Sequence, residues 1–122
     1  MSPADTIVAI STAAGSATRA IIRLSGPKAL DLAAGVFHAP GTALHALGGF
    51  RATDGRVAFG WSGPADAAAA EMEVPERAYV FRAPRSYTRQ DVVELHVPGA
   101  AAVATALTAA LIRGGARAAE PG

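Results

Sequence analysis

Pro84-Arg-Ser-Tyr-Thr-Arg-Gln-Asp-Val-Val-Glu-Leu-His-Val-Pro-Gly99 decides the fold of this chain. Its centre, Val92 to Val97, is a strong β-former. Successive strand residues face opposite sides. Val93, Leu95 and Val97 therefore share one uniformly apolar face, which predicts a core. Val92, Glu94 and His96 share the other, which places a carboxylate and an imidazole in mid-strand. Pro98 and Gly99 end the strand, because proline cannot donate to a ladder and glycine permits a sharp turn. An alanine-rich helical stretch follows at once.

Moving outward, Asp5 to Ser11 reads as a strand, with Ile7, Val8 and Ile10 as its β-branched residues. Thr12 to Thr18 is small and polar and reads as a loop. It is either a site where a ligand comes close or a plain hairpin connection. Arg19 to Leu24 is a second strand. Ala20, Ile22 and Leu24 form one face, and Ile21, Arg23 and Ser25 the other. Ser25-Gly-Pro-Lys28 opens a helix. Ser25 or Gly26 is the expected cap, and Pro27 suits the first helical position. Ala29, Leu30, Ala33, Ala34 and Phe37 form its apolar face. Thr42 to Gly49 reads as a loop. Phe50 to Gly60 reads as a hairpin turning at Asp54-Gly55. Trp61 to Ala70 reads as a loop or insertion, and Glu71 to Val74 is ambiguous. Arg77 to Ala83 is a strand, and Ser86 to Asp91 can make one turn. Ala100 to Arg113 is a helix buried along Val103, Leu107, Ala110 and Leu111. Gly114 or Gly115 stops it. Ala116 to Ala119 can add a short strand. Strands alternating with two helices in this order predict one α+β domain over residues 1–122. Its sheet is mixed or mostly antiparallel, with two main helices on one face.

Composition narrows the function classes. At 122 residues, 51% of them hydrophobic, the chain can build a core. Eleven basic against ten acidic residues leave a net charge of +1, so no direct nucleic-acid binding is expected. The absence of cysteine excludes disulfides and thiol chemistry. The run Gly99 to Ile112 is too short to span a bilayer, and the cytoplasm is the expected location. No Gly-x-x-x-x-Gly-Lys-Ser/Thr loop, Gly-x-Ser-x-Gly or His-Glu-x-x-His occurs. His38, His45 and His96 match no metal-site spacing.

Arg23 and Glu94 remain, each a charge inside an apolar strand. On the first reading they are exposed or form one structural ion pair. On the second they line a pocket. A carboxylate offers two acceptors side by side, which suits a heterocycle with adjacent N–H donors such as guanine or pterin. A guanidinium suits a carboxylate or phosphate.

Five segments in order carry a resemblance: Asp5-Thr-Ile-Val-Ala-Ile10, Ile21-Ile-Arg-Leu-Ser-Gly-Pro-Lys-Ala-Leu30, Ala83-Pro-Arg-Ser-Tyr-Thr88, Asp91-Val-Val-Glu-Leu-His96 and Gly114-Gly-Ala-Arg-Ala-Ala-Glu-Pro-Gly122. Together they resemble the N-terminal domain of the tRNA modification GTPases of the MnmE/TrmE type. The resemblance implies a fold related to the folate-binding domains of glycine-cleavage T-proteins. It also implies homodimerisation, 5-formyl-tetrahydrofolate held at or near the dimer interface, and a flavoprotein partner in modifying the tRNA wobble uridine. The family's folate-contacting Arg and Glu fall on Arg23 and Glu94. Three motifs differ. The family's Thr-Pro-Pro-Gly loop is Thr12-Ala-Ala-Gly15 here, its Ser-Tyr-Thr-Gly-Glu-Asp is Ser86-Tyr-Thr-Arg-Gln-Asp91, and its His-Gly-Gly is Pro98-Gly-Ala100. The family's next helix and its GTPase fall outside these residues, so no GTPase activity is expected of them. The expected function is folate binding as a one-carbon source. The alternative is a dimerisation or scaffold module whose folate site has decayed.

Overall fold

The computed structural model describes residues 5–12, 19–41, 44, 50–61, 70–82, 90–98 and 101–119. Among these residues, seven strands and two helices run in the order β1 (Ile7–Thr12), β2 (Arg19–Ser25), α1 (Ala29–Ala34), β3 (Phe37–His38), β4 (Phe50–Trp61), β5 (Ala70–Phe81), β6 (Val92–Pro98), α2 (Ala101–Arg113) and β7 (Arg117–Ala118). The strands make one mixed sheet in the order β3-β4-β5-β6-β2-β1-β7, so β6 is its central strand. All pairs are antiparallel except β1 with β7. This is the expected α+β architecture.

The core lies where both helices meet the sheet. Val8, Ile22, Leu24, Val57, Val80, Val93, Leu95 and Val97 supply the sheet side. Ala29, Leu30, Ala33, Ala104, Leu107 and Leu111 supply the helix side. Val93, Leu95 and Val97 are each fully buried, as their spacing predicts. Of the stripe expected on α2, Leu107 and Leu111 are buried and Val103 and Ala110 partly so, while Ala104 joins the buried set.

The helix ends show how local chemistry locks the layers. At the end of α2 the Gly115 amide donates to the Ile112 carbonyl (3.0 Å) and the Ala116 amide to that of Leu111 (3.1 Å). Gly115 has φ +124, so this is a glycine-dependent C-cap closed by the buried pair Leu111 and Ala116. At the start of α1 the expected cap by Ser25 or Gly26 is not made. Gly26 instead takes φ +141 and donates its amide to the Asp91 carbonyl at 3.0 Å. No side chain caps the first-turn amides; the amide of the N-cap residue Lys28 donates to Thr6 Oγ1 at 2.9 Å. A side chain from outside the segment thus anchors the entry to the helix, and the cap that local sequence assigns to Ser25 is left unmade.

Two further expectations are corrected. Phe37 does not continue α1. It starts β3 and pairs with Val57, because the helix already ends at Gly35. Asp54-Gly55 is not a turn either. β4 runs straight through it and pairs with β5 from Phe50↔Phe81 to Trp61↔Ala70. Glycine is needed there for closeness. A Cβ on Gly55 would lie 2.4 Å from the His38 carbonyl oxygen and 2.7 Å from the Phe37 ring. The ambiguous Glu71 to Val74 belongs to β5, as does Pro75. The β5–β6 ladder runs only from Arg77 to Phe81, so Pro75 sits where β6 no longer flanks β5. Of the loops expected at 12–18 and 61–70, the end residues Thr12, Trp61 and Ala70 belong to β1, β4 and β5; the rest of both, with most of the loop expected at 42–49 and of the turn expected at 86–91, lies outside the described residues.

Candidate functional site

The face of the sheet away from the helices carries the site. Register places Ala9, Arg23, Glu94, Tyr79 and Ala52 in one row across five strands. The next row is Ser11, Ile21, His96, Arg77 and Asp54, and the row on the other side is Ile7, Ser25, Val92, Phe81 and Phe50. Arg23 and Glu94 are direct cross-strand partners at the middle of this face. The structure therefore brings together the two residues singled out in the sequence, on adjacent central strands.

Their contact is specific. Arg23 Nε donates to Glu94 Oε2 at 2.9 Å, and Arg23 Nη2 donates to the same oxygen. The other oxygen, Oε1, lies 3.2 Å from His96 Nε2. The side chains of Glu94 and His96 are only 14% and 18% exposed, against 42% for Arg23. The carboxylate is thus recessed and the guanidinium reaches toward solvent. A pair in this setting is stronger than a surface ion pair, because water screens it less.

Further charged and aromatic groups extend the cluster along the sheet. The His96 ring packs on Tyr79 with centroids 4.5 Å apart and planes tilted by 47°. Arg77 donates to Asp54 Oδ1 at 2.7 Å and Oδ2 at 3.2 Å. Asp54 first, and then the Tyr79 hydroxyl, hold the Arg77 guanidinium charged and raise its pKa. The Arg77 hydrogen bond in turn lowers that of Asp54. Arg82 and Asp91 are 3.6 Å apart near the start of β6.

Sequence reasoning placed His96 on the same face as Glu94 but assigned it no role beyond a surface or structural one. The available signal was the i, i+2 spacing, which puts two polar groups side by side on one strand face. It also missed Tyr79 as the ring behind His96, which needs the β5–β6 register. Glu76 is a second unassigned acid. It is 6% exposed, and neither carboxylate oxygen has a hydrogen-bond partner. Burial raises its pKa to about 8. It shares the helix-side face with Ala78 and Val80, so it is not part of this cluster.

An α+β layered domain with an Arg–Glu–His cluster built around a recessed carboxylate on its helix-free face is the class that these features define. Comparison places it in a family: the GTP-binding protein TrmE N-terminus matches residues 6–122, and the chain belongs to that family. Among its relatives are proteins named tRNA modification GTPase MnmE. That of Bacillus subtilis is 36% identical over 119 residues, that of Chlorobium chlorochromatii 40% over 121, and that of Listeria innocua 38% over 123. Each alignment covers 97% of this chain but 24% of the relative, so the chain spans about a quarter of their length. Among the described residues no helix is long and apolar enough to cross a membrane.

Proposed function

We propose that this domain binds 5-formyl-tetrahydrofolate on the helix-free face, as the one-carbon source of a cytoplasmic system that modifies the tRNA wobble uridine. Glu94 takes the adjacent N–H donors of the pterin ring, and Arg23 takes the acidic part of the ligand. The domain acts as a homodimer, with a flavoprotein as partner of the larger system. The observation that carries the reading is the convergence of Arg23 and Glu94 as direct cross-strand neighbours, with the carboxylate recessed. Family membership and relatives named as tRNA modification GTPases support it. The experiment is calorimetric titration of the chain with 5-formyl-tetrahydrofolate beside Glu94→Ala, with sedimentation of both. The expected result is binding by the wild type, none by the variant, and a dimer in both.

One observation favours a second reading, a dimerisation or scaffold module without folate. Arg23 and His96 already occupy both oxygens of Glu94, as a purely structural ion pair would have it. That reading predicts an intact dimer and a flat titration for the wild type.

A further inference from the structure

We propose that His96 is a positioning residue of this site: its Nε2–H holds Glu94 Oε1 and keeps the carboxylate aimed while Arg23 exchanges from Glu94 to the ligand. The ligand in this inference rests on the folate reading above. The hold on Glu94 rests on geometry alone.

An ionised carboxylate offers roughly four lone-pair sites, two on each oxygen. Arg23 Nε and Nη2 fill both sites of Oε2, and His96 fills one of Oε1. One acceptor site is left, and it is on Oε1. A heterocycle with two adjacent N–H donors needs one site on each oxygen. One of the bonds to Oε2 must therefore open, and both come from Arg23.

The surroundings fit that division of labour. Arg23 is the exposed partner, at 42%, and sits on a long side chain that can follow an acidic group of the ligand. His96 is 18% exposed, backed by the Tyr79 ring at 4.5 Å, and anchored two residues from Glu94 on the central strand. A carboxylate oxygen only accepts, so the imidazole proton in this bond sits on Nε2. When Arg23 leaves, the His96 bond is what prevents Glu94 from rotating about its own side chain.

The test uses the whole chain and two readouts. In the spectrum of the ¹⁵N-histidine-labelled protein, the Nε2 resonance of His96 is that of a protonated, hydrogen-bonded nitrogen. It shifts in Glu94→Ala, while the resonance of His38 stays in place. A His96 spectrum unchanged by Glu94→Ala overturns the proposal. In calorimetric titration with 5-formyl-tetrahydrofolate, His96→Ala weakens binding about tenfold or more. His96→Gln, whose amide can place a donor near the lost Nε2, restores affinity to within about threefold of wild type. Equal affinity for wild type and His96→Ala, with both folded, also overturns it. A wild type that binds no folate defeats the functional reading instead, and the spectrum then decides the hold on Glu94 by itself.

Discussion

Glu94 and Glu76 lie on adjacent strands of one sheet, yet their environments are opposite. Glu94, on the helix-free face of β6, receives three donors from Arg23 and His96. Glu76, on the helix side of β5, receives none and is the more deeply buried. Burying a charge without a partner is costly, so Glu76 keeps its proton to about pH 8. The difference teaches which polar residue to read as a site. A recessed carboxylate whose partners are supplied by neighbouring strands is organised for recognition. An orphaned one burdens stability.

Four substitutions test the contrast between the two carboxylates. The first is Glu76→Leu. The folded carboxyl is protonated up to about pH 8, against an ordinary value of 4.5. Between those values the unfolded chain binds fewer protons than the folded one. The stabilising contribution is thus fully present below pH 4.5 and is lost as pH rises toward 8, by up to about 4 kcal/mol. Urea unfolding across this range reveals the slope, and Glu76→Leu should flatten it. An equal slope in both proteins would show that Glu76 is not the orphan described.

Leu95→Ala comes second. Leu95 lies between Glu94 and His96 but points into the core and is fully buried. Its truncation should cost about 3 kcal/mol in denaturant unfolding. In a chain that still folds, folate affinity should hold, since the other face of the strand is untouched. Gly55→Ala follows. Gly55 pairs with Glu76 in register, and a Cβ there meets the His38 carbonyl at 2.4 Å. The expected loss is about 2 kcal/mol. A neutral result would show that the His38 carbonyl does not pack against Gly55 as described. The smallest effect belongs to Asp54→Ala, at the exposed end of the row that holds His96. It should leave both the unfolding midpoint and the folate titration unchanged.

Much of this was legible because alternation is a strong signal. Around Arg23 and Glu94 each strand alternates, so the core set Ile22, Leu24, Val93, Leu95 and Val97 and the charges Arg23 and Glu94 separate without a structure. What stayed hidden depends on contacts distant in sequence. Thr6 anchors the start of α1 from across 22 residues. Glycine serves turns and close approaches alike, so Asp54-Gly55 could not reveal that Phe37 and His38 pack over it. Tyr79 meets His96 only through the β5–β6 register. Glu76 sits in a stretch interrupted by Pro75, which blurs the alternation that would have shown its inward direction.

The most direct measurement is one calorimetric series with 5-formyl-tetrahydrofolate on wild type, Glu94→Ala and Glu76→Leu at pH 7. Wild type and Glu76→Leu should bind, and a folded Glu94→Ala should not. Equal binding by wild type and Glu94→Ala, or binding lost through Glu76→Leu while that variant stays folded, would contradict that.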